Sequence, residues 1–270
     1  MAVTRSPALL VLVGACLLCA APRTEAQSRP FIYSVLPNGS AAARGAVYGD
    51  IGYGNHLFAA VGPEKLEHSA GAQVALSPRV IVLAQLGWAM NDAQVRGRVG
   101  GGADVLARLS APAAHTIVAI GIGAAQDYRR SVVARGRVVL GYVGKRSHLV
   151  GNLNLERPVH TAPGDVRDGV DVITTLGFSH AVSNSLRLGV ESVAEDLEGF
   201  FEADEAEGGA KLMLGPSVGI GSRASRWNAT VAVGPVVQLT RSTASGSGSG
   251  AARVLNQNGF VLRTSLSYEW

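Results

Sequence analysis

The sequence predicts an all-β fold, a transmembrane antiparallel up-and-down β-barrel of about 12 strands. After residue 44, apolar and polar residues alternate with period two in many stretches, and no stretch keeps the 3.6-residue apolar period over a helix length. Most of these stretches hold roughly 9–13 residues, which suits a tilted strand that crosses a bilayer and exceeds the usual globular strand. Shorter and longer connections also alternate between them, as they do at the two ends of such barrels.

The last alternating stretch shows the pattern most clearly. Arg263, Ser265, Ser267 and Glu269 share one parity. The other parity holds mainly apolar and aromatic residues, Phe260, Leu262, Leu266, Tyr268 and Trp270. One face of this strand therefore suits lipid and the other suits water. A soluble secreted β-sandwich is an alternative, because its strands also alternate, but there the apolar face would form the core.

The alternation places twelve strands along the chain. They are predicted near 45–54, 69–77, 79–90, 94–109, 114–125, 132–144, 146–157, 169–180, 184–195, 209–221, 226–240 and 259–270. Short turns are predicted at 77–78, 110–113, 144–147, 181–183 and 222–225, and the other connections are 55–68, 91–93, 126–131, 158–168, 196–208 and 241–258. An even number of strands brings both ends of the barrel to the periplasmic side.

The N-terminus has the pattern of a secretory signal peptide. Arg5 precedes an apolar run at residues 8–21, and a cleavage site follows at Ala26, before Gln27. The run is shorter than the about 20 apolar residues of a transmembrane anchor. We therefore predict a signal peptide over residues 1–26 for export by the Sec route. A periplasmic segment over 27–44 and the barrel over 45–270 follow it.

Composition excludes several classes of protein. Hydrophobic residues make up 47% of the chain and charged residues 16%, which disfavours a disordered chain. Residues 1–26 contain Arg5, Arg23 and Glu25, so their removal takes 24 basic and 20 acidic residues to 22 and 19. This mild charge, without a basic run, predicts no nucleic-acid partner. Both cysteines, at 16 and 19, are removed as well, so the mature chain has no disulfide.

The C-terminal stretch from Phe260 to Trp270 resembles the terminal signal of bacterial outer-membrane β-barrels, which alternates and ends in an aromatic residue. The pattern extends over residues 45–270, and residues 209–222 resemble the penultimate strands of porin-like proteins. This porin-like and transporter-like superfamily implies location in the bacterial outer membrane, contact with its lipid, and recognition of the last strand by the barrel assembly machinery. It implies no particular substrate.

Strand parity sends a set of charged side chains into the lumen. The candidate pore-lining residues are Arg96, Arg98, Asp104, Arg108, Arg135, Arg137, Glu156, Asp171, Arg187, Glu191 and Lys211. Free arginines over a narrow channel would favour anions. Arginines paired with the lumen carboxylates would instead fill and lock the barrel, since unpaired buried charges are costly.

Other chemical signals are weaker. Gly215-Pro216-Ser217-Val218-Gly219 matches a hydrolase nucleophile pattern, but it falls inside a predicted strand without a following helix. The six histidines are scattered, so we predict no metal site and no cofactor. Loop 196–208 carries six acidic residues, which either bind cations or narrow a pore, or stay solvated as acidic runs usually do.

These observations predict an outer-membrane barrel that acts as a porin-like or transporter-like channel for small solutes, with a weak preference for anions, and not an enzyme. The first alternative is a closed structural or adhesive barrel that does not conduct. The second is a membrane-embedded hydrolase.

We expect that Trp270→Ala lowers the amount of protein assembled in the outer membrane, because the alternating strand that ends there has the pattern of the assembly signal. Trp270→Phe, which keeps an aromatic end, serves as the control and should assemble normally. The measurement is the abundance of folded protein in outer-membrane fractions. Normal assembly of the alanine variant would contradict this role of the last strand.

Overall fold

The computed structural model describes residues 29–37, 45–54, 64–91, 94–128, 130–161, 169–201, 209–221, 226–240 and 258–270, with the backbone alone at 64–65, 91 and 94–98. The predicted signal peptide at 1–26 lies outside these residues. So do the greater parts of the predicted loops 55–68, 158–168, 196–208 and 241–258.

Twelve antiparallel strands close into one barrel, which confirms the predicted fold class. They are β1 Gly45–Gly54, β2 Glu64–Ala75, β3 Val80–Asn91, β4 Gln94–Arg108, β5 Thr116–Gln126, β6 Val132–Val143, β7 Ser147–His160, β8 Asp171–Ala181, β9 Leu186–Glu195, β10 Lys211–Ile220, β11 Trp227–Gln238 and β12 Gly259–Glu269. Each strand pairs with its neighbours in sequence, and β12 pairs with β1. A 3-10 turn at Leu197–Phe200 follows β9. No helix in the described part of the chain is long and apolar enough to span a membrane.

The seam between β1 and β12 closes the backbone hydrogen bonding. Its register runs from Ala46 opposite Glu269 to Gly54 opposite Val261. Because the ladder is continuous around the barrel, no strand edge is left to pair with another chain. In a bilayer, where water cannot satisfy backbone groups, closure of this kind is what allows strands to span.

Most strand side chains that point out of the barrel are apolar, and most of those that point into it at mid-height are polar. Leu86, Ile122 and Leu266 are 69%, 76% and 51% exposed. Ser265 and Ser267, on either side of Leu266 in β12, are buried. The distribution is the reverse of a soluble core, and it places the predicted lipid-facing parity on the outside.

Aromatic residues of the predicted assembly signal lie near the seam. The Trp270 backbone N–H donates to the Gly45 carbonyl at 3.1 Å. A Cβ on Gly45 would lie 2.5 Å from the Trp270 ring, so the ring covers the start of β1. Tyr268 packs against Trp227 with ring centroids 4.8 Å apart. The last strand is thus held at its C-terminal end by both of its neighbours.

The predicted strands match the observed ones closely, and β2 differs most. It begins at Glu64, whereas the sequence predicted a loop up to residue 68. The charged residues of this stretch indicated a loop. They fit a strand because charged side chains can point into the lumen, where Glu67 forms an ion pair with Arg263 of β12. Outside, His68 stacks on Trp88 with centroids 5.7 Å apart.

The two ends of the barrel differ. We use "turn end" for the end where β1 begins and β12 ends, which carries the five connections at residues 76–79, 109–115, 144–146, 182–185 and 221–226. We use "loop end" for the opposite end, which carries the other six connections. The turn end is the one that the sequence assigns to the periplasm.

We expect Leu86→Arg to destabilise the folded barrel in lipid far more than Gln85→Arg does. Leu86 lies mid-strand on the outer face, whereas its neighbour Gln85 is solvent-exposed on the inner parity of β3. A lipid-facing arginine near the bilayer midplane costs about 2–4 kcal/mol. The measurement is the free energy of unfolding from lipid bilayers, and similar losses in the two variants would contradict the assignment of faces.

Candidate functional site in the barrel lumen

Two arginines and two carboxylates form a cluster on the inner wall. Arg135 donates to Glu156 at 2.7 Å and is 3.3 Å from Asp104. Arg137 donates to the same Asp104 at 3.0 Å. All four side chains are at most one-fifth exposed. A hydrogen bond to a charged group contributes roughly 1.5–3 kcal/mol to stability. The two positive and two negative charges of the cluster sum to zero.

The strand register explains how this cluster forms. Arg135 lies opposite Glu156 on the neighbouring strand, so these two meet directly. Asp104 is two strands away from Arg135, and Gly123 lies between them in the register. A Cβ on Gly123 would collide with the Asp104 carboxylate, so glycine at this position lets the pair meet across β5.

The other predicted pore-lining residues are distributed along the barrel. Arg108 and Arg187 lie near the turn end. Arg108 donates a hydrogen bond to the Ala114 carbonyl at 2.9 Å, and Arg187 donates one to the Ser179 hydroxyl at 3.0 Å. Lys211 lies near the loop end, 2.9 Å from Asp196. Asp171 is buried there as well. The side chains of Arg96 and Arg98 lie outside the described residues, although their backbone belongs to β4.

Residues 29–37 lie inside the barrel, which we refer to as the internal segment. The sequence assigned them to a periplasmic segment before the first strand. Arg29 makes a two-pronged contact with Asp50 of β1, at 2.9 and 3.0 Å. Its guanidinium carbon also lies 3.6 Å from the centroid of the Tyr48 ring. Asp50 is only 3% exposed, and its buried carboxylate forms a salt bridge with this arginine.

Polar side chains of the opposite wall bind the backbone of the internal segment. One oxygen of Glu191 accepts the N–H groups of Ile32 and Tyr33, at 3.0 and 2.9 Å. Asn152 accepts the Val35 N–H at 2.7 Å and donates to the Val35 carbonyl at 3.0 Å. These contacts satisfy backbone groups that have no strand to pair with. Polar side chains of the wall therefore bind the backbone of an extended chain.

Apolar side chains of the internal segment complete its burial. Phe31 is fully buried and packs over Gly177, where a Cβ would lie 2.5 Å from the ring. Leu36 joins an apolar layer near the turn end, with wall residues of β3 to β7. That layer contains Ile81, Leu83, Leu106, Ile117, Ala119, Val139 and Val150. The lumen is thus polar at mid-height, and its wall is apolar near the turn end along β3 to β7.

A third contact group lies towards the loop end. Tyr128, from the connection between β5 and β6, points inward and donates to Glu67 at 2.6 Å. Glu67 also pairs with Arg263, whose guanidinium carbon lies 5.6 Å from the centroid of the Tyr33 ring. Tyr33 packs against a small apolar cluster of β9 to β12. The internal segment is therefore enclosed from this side too.

Part of the acidic loop at 196–208 is folded. Asp196 and Glu198 are buried, and Glu198 accepts the Val172 N–H at 2.8 Å. The two acidic side chains of the stretch from Asp196 to Phe201 are thus not solvated, unlike those of most acidic loops. Phe201 at its end is 92% exposed. The remaining acidic residues of this loop, at 202, 204, 205 and 207, lie outside the described residues.

The hydrolase pattern lacks its required context. Ser217 is buried in the middle of β10, with strand residues on both sides. A serine–histidine pair that the sequence did not suggest occurs elsewhere: Ser147 and His180 are opposite each other at the turn end, 2.8 Å apart. Both have the outward parity of their strands, away from the lumen. Within the described ranges no three acidic, histidine or cysteine side chains could hold a metal ion.

The sequence predicted Glu191 as a lumen residue, but it did not single out the other lumen residues that bind the internal segment. Asp50, Asn152 and Thr175 are inward by parity, and that signal was available. Their partners belong to the internal segment, in which apolar and polar residues do not alternate. No local sequence pattern therefore indicates where that segment lies in the fold. Ser34, for example, donates to Thr175 at 3.0 Å, across 141 residues of sequence.

No family model and no curated protein matches the chain. The chain is similar to solved structures of the NanC porin, at 7% identity and a TM-score of 0.56, covering 83% of this chain and 100% of that one. It is also similar to the KdgM porin, at 9% identity and a TM-score of 0.52, covering 83% and 99%. Likeness at such identity shows the fold alone, and the fold of this chain is a closed antiparallel β-barrel like that of these two porins.

Proposed function

We propose that the protein is a channel of the bacterial outer membrane that admits small solutes. The observation that carries this proposal is the polar inner wall: the interior at mid-height holds ion pairs and amides, whereas the outer face is apolar. A wall of this kind can be wetted, and the fold is shared with porins. In this proposal, the turn end faces the periplasm, outer-membrane lipid contacts the outer face, and the assembly machinery reads β12.

A closed structural barrel is the second candidate, and one observation favours it. The internal segment buries Phe31 and Leu36 in the lumen, beside an apolar layer near the turn end. A barrel filled in this way does not conduct unless the segment moves. The two candidates therefore differ in whether an open state exists.

The proposed weak preference for anions does not come from the arginine cluster. Arg135 and Arg137 face Asp104 and Glu156, so this part of the wall is neutral. A preference for anions would arise from Arg96 and Arg98, which the alternation in the sequence predicts to face the lumen. Fixed positive charge in a narrow channel raises the local concentration of anions.

We expect the purified mature protein to produce discrete conductance steps in planar bilayers and to admit small sugars into liposomes. The control is the same preparation after heat unfolding, which should be silent. Silence of both the mature protein and a variant that lacks residues 29–37 would favour the closed structural barrel.

Ion selectivity can be tested with two double variants that each remove two charged groups, in a background that lacks residues 29–37. Arg96→Gln with Arg98→Gln should shift the reversal potential in a salt gradient towards cations. Arg135→Gln with Glu156→Gln removes one charge of each sign and should leave it unchanged. An unchanged reversal potential in the first variant would overturn the anion preference.

A further inference from the structure

We propose that the internal segment, residues 29–37, is a releasable plug and that the lumen wall is a binding site for an extended peptide of this kind. The inference rests on the proposed channel function, because it names how that channel closes. The ligand class is a peptide with a guanidinium group at one end and large apolar side chains that follow it. In the closed state, this chain supplies the ligand itself.

The site is built from separate strands, and each supplies a different contact. Asp50 of β1 and the Tyr48 ring hold the guanidinium. Glu191 of β9 accepts two consecutive backbone N–H groups, and Asn152 of β7 binds one residue through both its N–H and its carbonyl. These contacts cross the lumen from one wall to the other. A segment held in this way blocks the passage between those walls.

The barrel does not depend on the segment for its closure. Every ladder in the described structure joins two barrel strands, and the internal segment contributes no strand to the sheet. Its polar anchors are side chains, and water in an open lumen can replace the segment at Asp50, Glu191 and Asn152. Release therefore breaks no strand pairing.

The apolar part of the segment accounts for the tightness of the closed state. Leu36 packs on the layer of wall residues near the turn end, and Phe31 is buried in the same cluster. An apolar constriction closes a pore by excluding water, without having to fill it completely. When the segment leaves, Leu36 and Phe31 are withdrawn, so this constriction widens.

The first experiment compares the mature protein with a variant in which residues 29–37 are deleted, by single-channel recording in planar bilayers. We expect rare or brief openings in the mature protein and a several-fold higher open probability in the deletion variant. Equal conductance and open probability in the two would overturn the plug. Silence of both would overturn the channel function and the plug with it, so the two failures are distinguishable.

A cross-link tests the plug without deletion, in case the shortened chain does not assemble. Ser34→Cys with Thr175→Cys places two thiols where the hydroxyls now lie 3.0 Å apart, in a mature chain predicted to have no other cysteine. The oxidised protein should be silent, and reduction should restore the openings of the mature protein. Thr175→Cys alone is the control and should not respond to reductant. Unchanged openings in a fully cross-linked sample would overturn the proposal.

The binding site itself is tested with a synthetic peptide of the sequence of residues 29–37. Added to the deletion variant, it should reduce the open probability in a concentration-dependent way. A peptide with glutamate in place of the arginine should lose this effect, because two carboxylates would then face each other at Asp50. Equal block by both peptides would overturn the guanidinium site, and no block by either would overturn the peptide-binding lumen.

Discussion

The continuous hydrogen-bonded closure of twelve strands is the constraint on which the rest of this structure depends. In a bilayer, an unpaired backbone group costs several kcal/mol, so every strand needs two neighbours and β12 must return to β1. Closure fixes which side chains point inward, since parity is exact along each strand. The outer parity must then suit lipid, and most charged side chains of the described strands point into the lumen.

Confinement of charge explains the pairing seen inside. A narrow interior cannot hydrate each ion fully, so carboxylates and guanidinium groups lie against one another or against buried polar atoms. Asp104 serves two arginines, and Glu67 pairs with Arg263 across the first and last parts of the barrel. Such pairs hold strands that are distant in sequence at fixed positions. They also leave little free charge on this part of the wall.

The internal segment likewise supplies partners for charged side chains of the lumen wall. Asp50 of β1 forms its salt bridge with Arg29, which reaches it from outside the sheet. Glu191 accepts two backbone N–H groups of the internal segment. The wall thus contains hydrogen-bond acceptors that bind the internal segment when it is in the lumen and bind water when it is not. This balance between two sets of partners is what a barrel with a closed and an open state requires.

The sequence by itself determined the architecture. Alternation in β12 and in the other strands indicated their number, their lengths to within a few residues and the face of each side chain, because parity is a local property. It also indicated that Arg135, Arg137 and Asp104 share one interior. Which charges pair there was open, because pairing depends on register across strands. The location of residues 29–37 was decided by tertiary structure alone: Arg29, Phe31 and Leu36 bind partners that are distant in sequence, and no local period predicts contacts of that kind.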